Sequence, residues 1–335
     1  MSITAKELAG KLGLSATAVS MALNGKPGVS RETRDMVIKE AEKAGYDFTK
    51  LSMRKNKEGD IYYITYRSHN AILNYAPIFS ELLEGIEQTC RSMGYRLRTM
   101  QIREDVDDVR KILEDLSVAG CIGILLLGTE MSKDAVRQFT KTSIPTVLLD
   151  VCYNEIPLSS VLINNEQGAY VATSHLIKRR DTQPGHLKSS YTIPNFIERE
   201  TGFKMAVRDH GMSFSKSVTH SLAPTIEGAF SDMLEVIDEG GPLAKCYFAD
   251  NDLIAIGAIK ALKLRGYKIP EDIAIIGFDN ISEGTVLEPA LSTIDIPRHY
   301  MGQVAATQLI FQIQNPIPRT VRIEVSTDLK KRGTV

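Results

Sequence analysis

Hydrophobic and polar positions follow two different spacings, which meet near residue 59. Before this point apolar residues recur four positions apart, as Leu8 and Leu12 do, and such spacing predicts short amphipathic helices. After it, short apolar runs such as residues 61–65 alternate with longer amphipathic stretches such as residues 79–95. This alternation is typical of strands and helices in a doubly wound parallel sheet. The chain is therefore predicted to have a small all-α N-terminal module and a large α/β body.

Polar residues at the ends of the first helical stretches match capping patterns. Thr4 and Glu7 fit a capping box at the start of a first helix, and Gly13 ends that helix with a tight turn. Ser15 and Ser30 are suitable N-caps for a second and a third helix. The module is therefore predicted to be a three-helix bundle with a helix-turn-helix motif. In that motif the second helix lies in the DNA major groove, although a short helix pair can also be a plain packing unit.

Charge is divided unevenly at the same point. Residues 1–58 contain 11 Lys and Arg against 7 Asp and Glu, a net charge of +4, whereas the whole chain carries -1. The remaining residues therefore carry -5. A basic module joined to an acidic body is expected where only the module contacts a polyanion such as DNA.

The composition excludes several classes of protein. With 335 residues, of which 43% are hydrophobic, the chain has the length and composition of a soluble protein of two or three domains. No run approaches the roughly 18 apolar residues that a membrane helix needs. The N-terminus also lacks the apolar core of a signal peptide. We therefore expect a cytoplasmic protein that does not contact a membrane.

The sequence lacks the signatures of the common cofactor and metal sites. It has no glycine loop of the P-loop or dinucleotide-binding type, no metal-ligand spacing and no nucleophile–base pair, so it predicts no cofactor, no metal and no enzymatic activity. The cysteines are too scattered for a zinc cluster or a disulfide framework. They are expected to be reduced thiols in the core: Cys90, Cys121, Cys152 and Cys246.

The body is too long for one open sheet. Residues 60–335 are therefore predicted to form two similar doubly wound lobes. Ligands in such folds bind at the carboxyl ends of parallel strands, which places the predicted ligand site in a cleft between the lobes.

Several stretches of the sequence resemble one protein family. Residues 14–46, "LSATAVSMALNGKPGVSRETRDMVIKEAEKAGY", resemble the headpiece of the lactose/galactose repressor (LacI/GalR) family of transcriptional regulators. The body is similar to that family's core, of the periplasmic-binding-protein type, in stretches such as "NNEQGAYVATSHLI", "ADNDLIAIGAIKAL" and "IPEDIAIIGFDN".

The resemblance implies domain boundaries. These are a helix-turn-helix headpiece at 1–47, a hinge or linker at 48–59, and an effector-binding and dimerisation core at 60–335. Within the core they place the N-lobe at about 60–162 and 294–320, and the C-lobe at about 163–293 and 321–335.

The resemblance also implies which headpiece residues contact DNA. The contacts to the DNA backbone that position the headpiece on the duplex would come from Thr4, Ser15, Ser20, Asn24, Ser30 and Thr33. Ala16, Thr17 and Met21 would lie where the family reads bases, and Ala16 and Met21 offer only apolar contacts such as to a thymine methyl group. No Arg or Gln stands at the start of this helix, so the operator sequence cannot be deduced from it.

The hinge departs from the family pattern. Residues 48–49 replace the usual Pro-Asn pair, and Lys55 stands where the family has a leucine that wedges into the minor groove. Leu51 or Met53 would serve as the wedge in a shifted hinge helix, or Arg54 and Lys55 would read groove width by charge. The alternative is a flexible basic linker that binds only the phosphate groups of the DNA backbone.

Four polar residues at strand ends or helix starts match effector-contacting positions of the family's sugar-responsive members: Asp150, Arg199, Asn251 and Asp279. Carboxylates and an amide suit vicinal hydroxyl groups, and a guanidinium can bind two oxygens at once. The alternative is a structural role, such as capping of turns and helices by Asp279 or Asp252.

Further residues complete the predicted cleft. Ile163 would lie where the chain first crosses between the lobes, and an N-lobe wall would consist of Asn74, Tyr75, Ile78 and Phe79. The C-lobe segment expected to add an aromatic residue, "HSLAPTIEG", has none. Arg180 and Asp181 replace a usual Gly-His pair, and residues 185–196, "GHLKSSYTIPNF", also depart from the family pattern.

These features predict a transcriptional regulator, most often a repressor in this family. It would bind a pseudo-palindromic operator in double-stranded DNA as a homodimer, since the C-terminus has no leucine heptads for a tetramer. A sugar or sugar phosphate in the cleft would favour one lobe arrangement and so raise or lower operator affinity. The alternatives are a cytoplasmic sugar-binding sensor without operator control and, less favoured, an enzyme acting on a sugar.

Overall fold

The structure is a computed structural model that describes residues 3–23, 28–46, 59–68, 77–316 and 319–335. Of residues 77–79 it describes the backbone alone. The N-terminal module and the body are described in turn.

The described part of the N-terminal module contains helices α1 (Ala5–Leu12), α2 (Ala16–Leu23) and α3 (Arg31–Lys43). The predicted capping box is present, because the Thr4 hydroxyl accepts from the Glu7 amide at 3.2 Å and the Glu7 carboxylate accepts from the Thr4 amide at 2.8 Å. Gly13 ends α1 in the left-handed conformation, with φ 65°. The three helices share one small core, formed by Leu8, Ala9, Val19, Ala22, Val37 and Ala41. Local caps and one apolar stripe per helix therefore account for the bundle.

The body alternates strands and helices. In chain order its elements are β1 (Asp60–Arg67), α4 (Pro77–Ser92), β2 (Arg96–Arg103), α5 (Val109–Val118), β3 (Cys121–Leu127), α6 (Lys133–Gln138), β4 (Thr146–Leu149), β5 (Ser159–Ile163), α7 (Asn165–Arg180), β6 (Gly185–Ser189), α8 (Pro194–Asp209), β7 (Thr219–Leu222), α9 (Ile226–Asp238), β8 (Cys246–Ala249), α10 (Asp252–Leu264), β9 (Ala274–Asp279), α11 (Ser282–Thr285), β10 (Ser292–Asp295), α12 (Arg298–Gln314), β11 (Arg322–Val325) and β12 (Asp328–Lys330).

The strands form two sheets, one in each lobe. The first has the order β11-β5-β4-β3-β1-β2, and the second β12-β10-β9-β8-β6-β7. Parallel pairs are β1–β3, β3–β4, β4–β5 and β5–β11 in the first sheet, and β6–β7, β6–β8, β8–β9 and β9–β10 in the second, where β12 pairs antiparallel with β10. The central strands β3, β4 and β8 are buried almost throughout, as expected for parallel strands covered by helices on both faces. The predicted two-lobed, doubly wound architecture is confirmed.

The chain passes between the sheets after β5, after β10 and after β11. The first passage follows Ile163, close to the boundary expected from the sequence. The other two come later than the expected limits at residues 293 and 320, because β10 continues to Asp295 in the second sheet and β11 belongs to the first. Val325 of β11 pairs with Ile163 of β5 and is only 8% exposed. Burial on the first sheet therefore retains residues 322–325 in the first lobe.

Two glycines allow α4 and α12 to pack backbone against backbone. A Cβ atom at Gly85 would lie 2.0 Å from the carbonyl oxygen of His299, and one at Gly302 would lie 2.2 Å from that of Leu82. Real Cβ atoms do not approach this closely, so neither position accepts a larger residue without movement of the helices.

The four cysteines are free thiols, as the sequence predicts. Cys90, Cys121 and Cys246 are buried, and Cys152 is half-buried. Burial raises the pKa of the Cys90 thiol to about 12, so this group stays protonated at neutral pH.

Candidate functional site

A cavity lies between the two lobes at the carboxyl ends of the parallel strands. Its empty volume is about 690 Å³, part of which is open to solvent. The first lobe contributes Leu82, Leu127, Thr129, Asp150, Ile163 and Met301, the second Ile193, Asn195, Phe196, Arg199, Asn251, Leu253 and Asp279, and the passage after β10 contributes Ile296 and Arg298. Parallel strands end on the same edge of a sheet, so the two sheets bring these distant residues together.

Asp150 follows β4 and joins the lobes. Its carboxylate accepts a hydrogen bond from the Thr129 hydroxyl at 2.6 Å and from the side-chain amide of Asn195, on the other lobe, at 2.8 Å. Burial raises the pKa of this carboxyl, although the hydrogen bond from Thr129 and the charge of Arg199 oppose the change. Asp150 is therefore a hydrogen-bond acceptor at the point where the lobes meet.

Arg199, on α8, is only 4% exposed and donates hydrogen bonds to three residues. Its Nε donates to Asn165 Oδ1 at 2.9 Å, one Nη donates to the Asp250 carbonyl oxygen at 2.5 Å, and the other donates to Asp279 Oδ1 at 3.3 Å. The guanidinium also lies 3.7 Å from the centroid of the Phe278 ring, a cation–π contact. Among the described contacts this leaves two of its five N–H groups for another acceptor.

Asp279 ends β9 in an unusual backbone conformation, with φ 115°. Burial raises the pKa of its carboxyl, while the charges of Arg199 and Arg298 lower it. Arg298 also donates to the Asp279 carbonyl oxygen at 2.5 Å. Because non-glycine residues rarely adopt this conformation, the surrounding contacts must hold it in place.

Asn251 and Asp252 follow β8 and have different roles. The side chain of Asn251 caps α10 by accepting from the Ile254 amide at 2.9 Å, and the same residue lines the cavity. Asn251 is therefore both a helix cap and a cavity residue, whereas the sequence-based alternative assigned capping to Asp279 or Asp252. Asp252 lies deeper, fully buried, and its carboxyl accepts from the Thr293 hydroxyl at 2.6 Å and the Ile281 amide at 3.0 Å. This carboxyl therefore links β10 and the loop after β9 to the start of α10.

The structure brings together Asp150, Ile163, Arg199, Asn251 and Asp279, as one lining. Two other members of the expected set, Asn74 and Tyr75, lie outside the described residues, and the side chains of Ile78 and Phe79 are likewise not described.

Sequence reasoning missed Thr129, Asn195, Phe196 and Arg298. Asn195 precedes Arg199 by four residues, so the two share one face of α8. This helical spacing is the signal that would have found Asn195. Phe196 provides an aromatic side chain from the second lobe, although the segment expected to do so has none.

The candidate DNA-contacting residues form a separate group in the N-terminal module. Ala16, Thr17 and Ser20 on α2 are exposed, as are Thr4, Ser15 and Ser30, whereas Met21 and Thr33 are half-buried. A Cβ atom at Gly28 would lie 3.1 Å from the Met21 sulfur, so the methionine already contacts the loop before α3. Asn24, Leu51, Arg54 and Lys55 lie outside the described residues.

None of the helices in the described part of the chain has the length and apolar character of a membrane span. Among the same residues, no group of three or more His, Cys, Asp or Glu side chains is arranged to hold a metal ion.

Comparison with known proteins agrees with this architecture. Residues 173–335 match the model of a periplasmic binding protein-like domain. The ribose operon repressor of Halalkalibacterium halodurans is 29% identical over 99% of this chain and 96% of that protein. Other curated relatives are also named as transcriptional repressors, in line with the expectation of a protein that is not an enzyme.

Solved structures show the same fold. A LacI family transcriptional regulator from Enterococcus faecium with bound ribose is 25% identical over 82% of this chain and 98% of that chain, with a TM-score of 0.69. A transcriptional regulator CelR in complex with cellobiose, 22% identical, covers 99% of this chain and 100% of that chain with a TM-score of 0.74. The N-terminal helices, the two lobes and these relatives together support a transcriptional regulator of the LacI/GalR type.

Proposed function

We propose that this protein is a repressor that binds operator DNA through its N-terminal module and releases or tightens that binding when a small hydroxyl-rich molecule enters the interlobe cavity. One observation carries the proposal. Asp150, Arg199 and Asp279 come from separate elements of the two lobes and line a single cavity. A ligand held by both lobes stabilises one lobe arrangement over others, which is the requirement for allosteric control.

The charges around the cavity favour a neutral ligand over a phosphorylated one. The lining contains two guanidinium groups, Arg199 and Arg298, and two carboxyl groups, Asp150 and Asp279. Arg199 already donates to the Asp279 carboxylate, and Arg298 donates to the Asp279 carbonyl oxygen. A phosphate would therefore have to compete with these acceptors, whereas hydroxyl groups can donate to the carboxylates directly.

The apolar part of the lining suits the carbon face of a sugar. The second lobe contributes Phe196 and Ile193 to the lining, and the first contributes aliphatic residues such as Leu82 and Leu127. Sugars present polar edges and apolar faces, and a cavity with both kinds of surface fits them. The ribose and cellobiose bound by structural neighbours support this class of ligand.

Assembly and location follow from the same function. We infer a cytoplasmic homodimer, whose two-fold symmetry matches the two half-sites of an operator. A sugar-binding sensor without operator control is less favoured, because the module has the caps and the exposed second helix of a DNA-binding unit.

Thermal melting of the purified full chain in the presence of sugars, sugar phosphates, nucleobases and amino acids tests which of these compounds the cavity binds. A ligand at 100 times its dissociation constant adds about 2.7 kcal/mol to the native state. We expect an unphosphorylated sugar to raise Tm and Arg199→Ala to abolish this shift. Arg265→Ala is the matched control, because Arg265 pairs with Asp238 on the surface of the same lobe.

Operator binding is measured on the same variants by fluorescence anisotropy with DNA selected by the wild-type protein. Arg199→Ala should keep operator binding and lose its dependence on the sugar. A normal sugar response in this variant would remove Arg199 from the effector site. If the wild-type chain selects no duplex sequence, the proposal that the protein is a repressor is refuted.

A further inference from the structure

His186 is one of the most deeply buried polar residues of the second lobe. His186 lies on β6 and has no exposed surface. Its ring stacks on Phe203, with centroids 5.0 Å apart, and on Phe248 at 5.7 Å. A histidine in such surroundings needs a polar partner, since an unsatisfied polar group in a core destabilises the fold.

Asp250 is that partner. His186 Nε2 lies 2.7 Å from Asp250 Oδ1, and the second carboxylate oxygen accepts from the Ser189 amide at 2.8 Å. Asp250 is also fully buried, and its own amide donates to the Leu187 carbonyl oxygen at 3.0 Å. The residue after β8 is thus tied to β6 at three points.

The main chain of Asp250 faces the candidate effector site. Its carbonyl oxygen accepts from Arg199 at 2.5 Å, and the next residue, Asn251, lines the cavity and caps α10. A shift of residue 250 would therefore displace an acceptor of the effector-site arginine and move a lining residue at the same time.

The pair is not required to fill the core. Phe203 and Phe248 already surround the imidazole with apolar surface, and His186 Nδ1 is buried without a hydrogen-bond partner among the described residues. An apolar side chain at residue 186 would remove the unpaired Nδ1, but it would also remove the partner of the buried Asp250 Oδ1. Unsatisfied buried groups in a folded protein call for an explanation, and function is a frequent one.

We propose that His186 and Asp250 are a positioning pair, which fixes the main chain at residue 250 and so holds the Arg199 guanidinium in its effector-binding orientation. The expected effect on effector affinity rests on the proposed function, whereas the orientation of Arg199 can be measured without any ligand.

The test follows the Arg199 Nε–H in the full chain labelled with ¹⁵N-arginine. Its signal is assigned by its absence from Arg199→Lys, and its solvent exchange rate reports how firmly the guanidinium is held. Asp250→Ala should speed this exchange about tenfold. The variant loses the hydrogen bonds of the Asp250 carboxylate to His186 and the Ser189 amide, so residue 250, and with it the Arg199 guanidinium, should move that much more often. Asp250→Asn should restore the wild-type rate, since its amide can bond both the Ser189 amide and the other tautomer of His186.

Two more variants keep the test decisive. His186→Phe combined with Asp250→Ala removes both polar groups of the pair together, so it should fold and still show the fast exchange. Tyr247→Phe is the matched control, because its hydroxyl lies 3.2 Å from the buried His220 and bonds the Ala244 amide in the same lobe. We expect this control to leave the Arg199 exchange unchanged.

Binding of D-ribose, followed by calorimetry, separates the two proposals. If wild-type protein binds D-ribose, Asp250→Ala should weaken the binding about tenfold and Asp250→Asn should not. If D-ribose does not bind, the sugar proposal loses support while the exchange data still decide on the pair. Unchanged exchange in both Asp250→Ala and the double variant, or equal acceleration in Tyr247→Phe, would overturn the positioning role.

Discussion

Asp252 should make the stability of the second lobe depend on pH. Its carboxyl is fully buried and accepts hydrogen bonds from the Thr293 hydroxyl and the Ile281 amide. Burial and the neighbouring carboxylate of Asp279 raise the pKa of Asp252 to about 8. A carboxyl group with such a pKa keeps its proton in the folded protein at neutral pH.

The sign and size of the effect follow from this shift. Between about pH 4 and pH 8 the folded chain binds a proton that the unfolded chain has released, so its stability falls as pH rises. The contribution is fully present below the ordinary pKa of an aspartate and is lost by about pH 8. Each pKa unit corresponds to about 1.4 kcal/mol, so the free energy of unfolding should fall by roughly 3 kcal/mol between pH 6 and pH 9.

Asp252→Asn removes the titration and keeps an oxygen that can accept from the Ile281 amide. The Tm of this variant relative to wild type should therefore rise by about 5 °C between pH 6 and pH 9, at about 2 °C per kcal/mol for a chain of this size. Calorimetric melting of both proteins at each pH measures the difference, which cancels the titration of groups that do not interact with Asp252.

Asp272→Asn is the control, because Asp272 is an exposed carboxylate that accepts from the Lys268 amide. Its difference from wild type should stay constant over the same pH range. If the Asp252→Asn difference also stays constant, Asp252 is ionised in the folded protein and the reasoning from burial is wrong.

Other predictions concern packing and DNA recognition. Gly302→Ala should lower the free energy of unfolding of the body by about 1–3 kcal/mol, measured by urea denaturation, because its Cβ meets the backbone of α4. Gly10→Ala should stabilise the N-terminal module by about 0.4–1 kcal/mol in the same assay, since its Cβ has no atom within 4 Å. Thr17→Val should change which operator is selected, whereas Arg31→Ala should weaken all duplexes alike and flatten the salt dependence. The reverse pattern would refute the placement of α2 as the recognition helix.

Helix ends and strands were predictable because their causes are local. The hydroxyl of Thr4 bonds an amide only three residues away, and the apolar run 121–127 marks a buried strand whatever follows it. The periodic alternation of such elements was enough to predict the two-lobed architecture. The limits of the lobes near residues 295 and 325 were less predictable, since they depend on which sheet a short strand joins.

The effector-site candidates could be predicted in part. Polar residues at strand ends, such as Asp150 and Asp279, stand out against the apolar strands before them, and the family resemblance drew attention to Arg199. Asn195, by contrast, became a site residue only because its amide reaches Asp150 across the gap between the lobes. No pattern along the chain encodes a contact between residues 45 positions apart.

The sequence by itself therefore determined the order of helices and strands, the caps, the basic charge of the module and several polar side chains at strand ends, because all of these depend on neighbours within a few residues. Only the tertiary structure decided which polar and charged groups meet. It set Arg199 against Asp279, 80 residues away, and His186 against Asp250, 64 residues away. Burial then strengthens these contacts, because charges and hydrogen bonds in a site screened from water interact more strongly than on an exposed surface.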